Sequence, residues 1–446
     1  MPLLKTISKH LALLFVPLIY LALSDIAFYH SLQSLTQKRR LYFLPPFLLF
    51  SALSFSASKY FWFLPGVTSL WCLAVTLKVL HTISVLHIEK WPTPQTPPGL
   101  TQKENFVFNF RAAYRIWGNP QLLNTTPGPE NEKKSQQSLS VFLFLRLIKL
   151  PIYYYIHVRI IPAAFAETLV EFIPQDLSPE EQILFRRLFY VWSEVTAREL
   201  VIRSYMAVYW IWESLVYLDG ANSILACFFV LIGLDEPRDW PSLFGNPADV
   251  TGLRTFWSRF WHRVAVRPYM NYGKVAASSL GLGAAESKLV VAFVVFALSG
   301  VSHSAVSWQL GQKEWWLDIW WFLMNFLGCT GELVFLMGVR SLAKRLGWSQ
   351  ELKMIEESWF GRLFGYAWVF GFFFWSVPKW KYPAMYQTAV VTARWNEIWS
   401  KMRIVTFAPG WDGCMMGVGM IVWDRGKGEM IVVVRMRKPW NEMTTT

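Results

Sequence analysis

Runs of roughly twenty mostly apolar residues recur along this sequence, and such a chain is matched to a lipid bilayer. A helix rises ~1.5 Å per residue, so about 20 apolar residues cross a hydrocarbon core of ~30 Å. Runs of that kind cover residues 11–28, 41–57, 61–80, 289–310, 315–338 and 363–377. Three weaker runs follow at 141–165, 200–218 and 223–234; the first carries Arg146, Lys149 and Arg159, the second Arg203 and Glu213. Charges at such depth predict helices that face protein or a polar cavity rather than lipid. The pattern predicts an all-α, polytopic membrane protein with about eight or nine transmembrane helices.

Composition agrees. Of the 446 residues, 16% are charged and 54% hydrophobic, whereas soluble domains carry about 25% charged residues. Aromatic residues make up 17%, and their rings favour membrane interfaces and buried tunnels. The net charge of +13 is spread between the apolar runs, which fits positively charged membrane flanks and argues against a nucleic-acid partner. Cys72, Cys227, Cys329 and Cys414 form no C-x-x-C pair, so neither a disulfide framework nor a zinc site is indicated. Lys5 and Lys9 precede the first apolar run, and with further runs close behind, a retained first span is expected rather than a cleaved signal.

The polar, proline-rich stretch 89–140 is expected outside the bilayer, separating an N-terminal three-helix group from the rest. Residues 1–383 read as one membrane domain and 384–446 as an atypical tail, in which 410–434 resembles a hairpin around Asp424-Arg425-Gly426-Lys427-Gly428. Gly417-Val418-Gly419 is too short a glycine pattern to signal nucleotide binding.

His303 is the most informative residue. No Asp, Glu, Lys or Arg lies between Lys288 and Lys313, so the imidazole is expected about 15 Å from its nearer charged flank, close to the bilayer midplane. An ionisable group there is costly and is a functional candidate. A neutral imidazole accepts a hydroxyl proton near neutral pH. The plainer reading is a packing histidine, with Ser299, Gly300, Ser302, Ser304 and Ala305 letting another helix come close.

A second cluster lies at 253–268. If a helix here ends at Pro268, then Arg259, Arg263 and Arg267 form one basic ribbon. Phe256, Trp257, Phe260 and Trp261 form an overlapping aromatic face, and His262 projects from both, in need of its own partner or ligand. The plainer reading is an interfacial amphipathic helix at phosphate headgroups. Glu213 and Glu332, in apolar runs, either line a chamber or pair with Arg203 or another helix.

Taken together, Trp240-Pro241-Ser242-Leu243-Phe244-Gly245-Asn246-Pro247, then Phe256-Trp257-x-Arg259-x-Trp261-His262, then Ser299-Gly300-x-x-His303 resemble the signature of wax-synthase-type membrane-bound O-acyltransferases. Residues 200–377 carry the resemblance. Thr255, where an acidic residue is frequent, Ser258, where glycine is frequent, and the tail depart from it. The resemblance implies helices around a buried catalytic chamber, His303 as the catalytic histidine and His262 as an assisting or orienting group. It further implies an acyl-CoA donor as co-substrate, with no permanently bound cofactor, and Arg259, Arg263, Trp257 and Trp261 are the candidates to hold that donor.

Within that group the chain resembles the fungal relatives of plant wax synthases, several of which act on terpenoid, meroterpenoid or similar secondary-metabolite alcohols with acetyl-CoA. Acetyl transfer to a hydrophobic alcohol at the endoplasmic reticulum is therefore the first expectation. A long-chain wax-ester synthase is the alternative, and a transporter or non-catalytic scaffold a third, although no repeated halves with broken helices are found.

Overall fold

The computed structural model describes residues 2–61, 64, 66–123, 138–163, 173–190, 195–401, 419–424 and 429–434. The helices are α1 (Pro2–Gln33), α2 (Gln37–Ala57), α3 (Val67–Ile83), α4 (Gln102–Trp117), α5 (Leu139–Tyr155), α6 (Leu184–Tyr190), α7 (Ala197–Leu231), α8 (Leu253–Thr255), α9 (Val266–Ser279), α10 (Ala284–Gln309), α11 (Leu317–Leu346), α12 (Ser349–Glu357) and α13 (Trp359–Lys401). Two strands, β1 (Gly419–Asp424) and β2 (Glu429–Val434), pair antiparallel with Asp424 opposite Glu429. They form the hairpin expected in the tail; its loop at 425–428, the Gly417-Val418 start of the glycine pattern and Cys414 lie outside the described residues.

Seven helices among the described residues are long and apolar enough to cross a membrane, where about eight or nine were expected. The protein is an all-α, multi-pass membrane protein apart from the hairpin. α13 is not among the seven; its Trp, Tyr, Gly and Lys residues dilute the hydropathy of its Phe-rich centre. It continues through Pro378 and Pro383 to Lys401, past the boundary read at residue 383.

One expectation is corrected. The runs 200–218 and 223–234 are one continuous helix, α7. Asp219 and Gly220 between them do not break it, because Asp219 accepts from Lys149 Nζ at 3.0 Å and Tyr153 Oη at 2.9 Å, satisfying the carboxylate inside the bundle. The polar stretch 89–140 contains α4, started by a capping box in which Thr101 and Glu104 bond reciprocally. Its buried Ala113 and Ile116 pack with Phe28, Phe47 and Leu86.

Of the charges in the weaker runs, Arg146, Lys149 and Arg203 face protein, as expected, whereas Arg159 is exposed. Arg146 donates to the Trp240 and Pro241 carbonyls. Arg203 pairs with Glu199 at 3.3 Å, not with Glu213, and also reaches the Phe374 carbonyl. In the N-terminal group, Asp25 of α1 and Lys78 of α3 form an ion pair, with Lys78 over the Trp117 ring. The main core gathers Ile202, Met206 and Trp210 of α7, Phe256 and Phe260, Trp321 and Phe322 of α11, and Phe372 and Phe373 of α13.

Candidate active site

The site is built on the connection between α7 and α9. Asp235 starts it, accepting from Tyr114 Oη at 3.0 Å and Trp240 Nε1 at 2.9 Å. The chain folds back at Gly245, whose N–H donates to the Phe260 carbonyl at 2.8 Å. A side chain there would bring its Cβ to 2.0 Å from the Arg259 carbonyl oxygen, so this crossing requires glycine.

α8 begins against Glu332 in the middle of α11. Glu332 accepts from the Leu253 N–H at 2.6 Å, the Arg254 N–H at 3.4 Å and Trp368 Nε1 at 2.9 Å. A carboxylate in an apolar span thus serves as the N-terminal cap of another helix, one of the two roles its sequence context left open. α8 runs into a π-turn, Phe256–Phe260, and stops at Trp261, whose backbone is extended at φ −67° and ψ 149°.

This stop corrects the basic ribbon. Arg259, Arg263 and Arg267 do not share one helix: Arg259 ends the π-turn, Arg263 lies in the following turn, and Arg267 belongs to α9. Pro268 falls in the first turn of α9, where a missing N–H costs little, instead of ending a helix. Arg267 pairs with Glu89 at 2.8 Å, whereas Arg259 and Arg263 are exposed.

Trp257 and Trp261 lie half-buried in the aromatic core. Trp257 Nε1 donates to Asn325 Oδ1 at 3.0 Å, and its ring is 5.5 Å from that of Trp261. His262 meets Phe244 edge-on at 5.8 Å. Its Nδ1 is buried and has no hydrogen-bond partner among the described residues. Burial, together with the field of His303, pushes its imidazole down to about 4, so the ring is neutral near pH 7.

His303 stacks on Phe322 of α11 with centroids 5.0 Å apart and planes at 29°. The small residues around it act as expected: a Cβ on Gly300 would lie 2.9 Å from Ile319 Cα, and Ser304 donates to the Trp315 carbonyl at 2.9 Å. Tyr269 and Ser302 share a 2.7 Å hydrogen bond that ties α9 to α10 beside the histidine. Because α10 ends at Gln309, His303 lies about 9 Å along the axis from that end.

One turn further, Ser307 donates to Asp318 Oδ2 at 2.5 Å and Trp380 donates to Asp318 Oδ1 at 2.7 Å. A small cavity of about 10 Å³, room for about one water, opens there, lined by Gln312, Glu314, Leu317, Asp318, Trp380 and Ala384. Neither histidine lines it. Among the described residues no group of three His, Cys, Asp or Glu side chains is arranged to hold a metal ion.

Residues 240–324 match the sequence profile of the Membrane bound O-acyl transferase family, a stretch that contains both histidines. This stretch of the chain is similar to that family. Similar relatives are Acetyltransferase ple2 of Rhodocybe pseudopiperita, 31% identical over 35% of this chain and 40% of that protein, and Acetyltransferase atnC of Arthrinium sp, 29% identical over 47% and 48%. Acetyltransferase sirH of Emericella nidulans is 28% identical over 34% and 33%. The chain therefore spans less than half the length of these relatives. No solved structure matches it.

His262 and His303 both fall within the matched stretch, whereas Asp318, Asn325, Tyr269 and Trp210 were not singled out by the sequence. Only Asp318 and Asn325 carried a signal, as polar residues within the apolar run 315–338.

Proposed function

We propose that the protein is an acyl-CoA-dependent O-acyltransferase of the endoplasmic reticulum membrane. Its reaction moves the acetyl group of acetyl-CoA to a hydroxyl of a hydrophobic secondary metabolite of terpenoid or meroterpenoid type. The observation that carries this reading is the family match over 240–324, which holds His262 and His303, together with relatives that are named acetyltransferases.

In this reading His303 is the general base. The acceptor hydroxyl gives it a proton as the oxygen attacks the thioester carbonyl carbon, and the C–S bond then breaks, with the CoA thiolate taking up the proton. No acyl-enzyme is required. Cys72, Cys227 and Cys329 are free thiols without a base-linked nucleophile arrangement, which favours direct transfer in a ternary complex. His262, neutral and with an unpartnered Nδ1, orients a reactant. Arg259 and Arg263, exposed at the edge of the Trp257–Trp261 layer, are the candidates to meet the CoA phosphates. The surrounding aromatic core keeps water from the thioester.

The test uses microsomes containing the full chain, incubated with labelled acetyl-CoA or palmitoyl-CoA and a panel of terpenoid and fatty alcohols. Acetyl esters of terpenoid alcohols are expected. Wax esters formed from palmitoyl-CoA would overturn the donor assignment, and no ester from either donor would overturn the reading as an enzyme.

A further inference from the structure

Five indoles, those of Trp210, Trp257, Trp261, Trp321 and Trp380, meet in the main core, and three of them donate to a named acceptor. Trp257 donates to Asn325 Oδ1 at 3.0 Å, Trp321 to Ser376 Oγ at 3.2 Å and Trp380 to Asp318 Oδ1 at 2.7 Å. Trp210 of α7 is 2% exposed, and its Nε1 has no partner among the described residues. An indole N–H is a donor only, and leaving one buried and unpaired has a real desolvation cost. Such a group calls for a functional explanation.

Its surroundings supply one. The Trp210 ring is 4.9 Å from Trp261, which adjoins His262, and 5.2 Å from Trp321. Trp321 adjoins Phe322, on which His303 stacks. On another side, Trp380, part of the cavity wall beside Asp318, has its ring 6.1 Å from that of Trp210. The Trp210 ring is therefore one aromatic ring removed from His262 and from the cavity, and two removed from His303. Tyr382 Oη is also unpaired, but its ring faces Arg203 at 6.0 Å, away from this group.

We infer that Trp210 Nε1 is a catalytic hydrogen-bond donor to the thioester carbonyl oxygen of the acyl-CoA. The inference rests on the acyltransferase reading above. A donor-only group needs an acceptor; the alcohol must keep its proton directed at His303, whereas the carbonyl oxygen is free to accept. As the alcohol oxygen bonds to the carbonyl carbon, the C=O π pair moves onto that oxygen and His303 holds the alcohol proton. When the pair returns, the C–S bond breaks and the thiolate leaves with the proton. The N–H thus meets the atom on which negative charge develops, where a preorganised donor acts most strongly.

Trp210→Phe keeps an aromatic ring and removes only the donor. Equilibrium binding to the full chain in micelles would compare acetyl-CoA with S-ethyl-CoA, which lacks the carbonyl oxygen. The wild-type chain is expected to prefer acetyl-CoA by roughly threefold to tenfold, and Trp210→Phe to bind both alike with an unchanged or raised Tm. Turnover of labelled acetyl-CoA by the variant should fall about 100-fold. Equal binding of the two ligands by the wild type, a preference retained in Trp210→Phe, or a Tm that falls in step with binding would each overturn the inference while leaving the acyltransferase reading intact. Failure of the wild type to bind either thiol derivative would sink both.

Discussion

An imidazole within the uncharged stretch of a helix depends on what its neighbours offer, and around His303 these are a phenyl face at 5.0 Å and a row of small residues that bring α11 close. His262 is held differently, edge-on to Phe244 with Nδ1 left open. If that nitrogen orients a reactant, His262→Asn should retain more transfer than His262→Ala, because an amide still hydrogen-bonds; equal losses in kcat/KM would remove the orienting role. The depressed imidazole also has a pH signature. Its folded-state value near 4 lies below the ordinary ~6.5, so the stability linked to the neutral ring is complete above pH ~6.5 and is lost as pH falls through about 4. Thermal melts in micelles should show a smaller loss between pH 6.5 and 4.5 for His262→Asn than for the wild type, and identical slopes would contradict the assignment. Both histidines were legible in the sequence because ionisable groups among aromatic and apolar residues stand out. Trp210 was not: one tryptophan among 25 carries no mark of which indole lacks an acceptor.

Helices position these residues through contacts that hydropathy does not encode. Glu332 is the clearest case, since an acid in an apolar span announces a partner without naming it, and the partner proves to be the α8 N-terminus. Glu332→Ala should destabilise by about 1–2 kcal/mol and Glu332→Gln by less, since one acceptor oxygen remains; thermal melts would check the order. Gly245→Ala places a Cβ against backbone, so at least a tenfold loss of transfer is expected with the spans still inserted, read by microsomal extraction and activity together. The arginine ribbon was misread because the chain from 253 to 268 has helical spacing throughout, while Trp261 adopts an extended backbone and Pro268 begins a helix instead of ending one. A proline is compatible with either end of such a segment, and sequence alone does not choose between them.

At the scale of the whole molecule, periodic apolar runs signalled the membrane-spanning helices, while their joins depended on pairings between distant segments. α7 is continuous because Lys149 and Tyr153 satisfy Asp219, and α4 docks on the N-terminal group through Ala113 and Ile116. The Asp25–Lys78 pair fastens that group internally; Asp25→Asn or Lys78→Met alone should cost about 3 kcal/mol, with the double variant costing less than the sum. An additive result in a double-mutant cycle would mean that the pair does not couple α1 to α3. The central claim is that His303 takes the proton from an acceptor alcohol, and the most direct measurement is label transfer from acetyl-CoA by microsomes holding equal amounts of wild-type and His303→Ala protein. Loss of at least 99% of transfer with normal membrane insertion is predicted, whereas wild-type turnover in the variant would contradict the account.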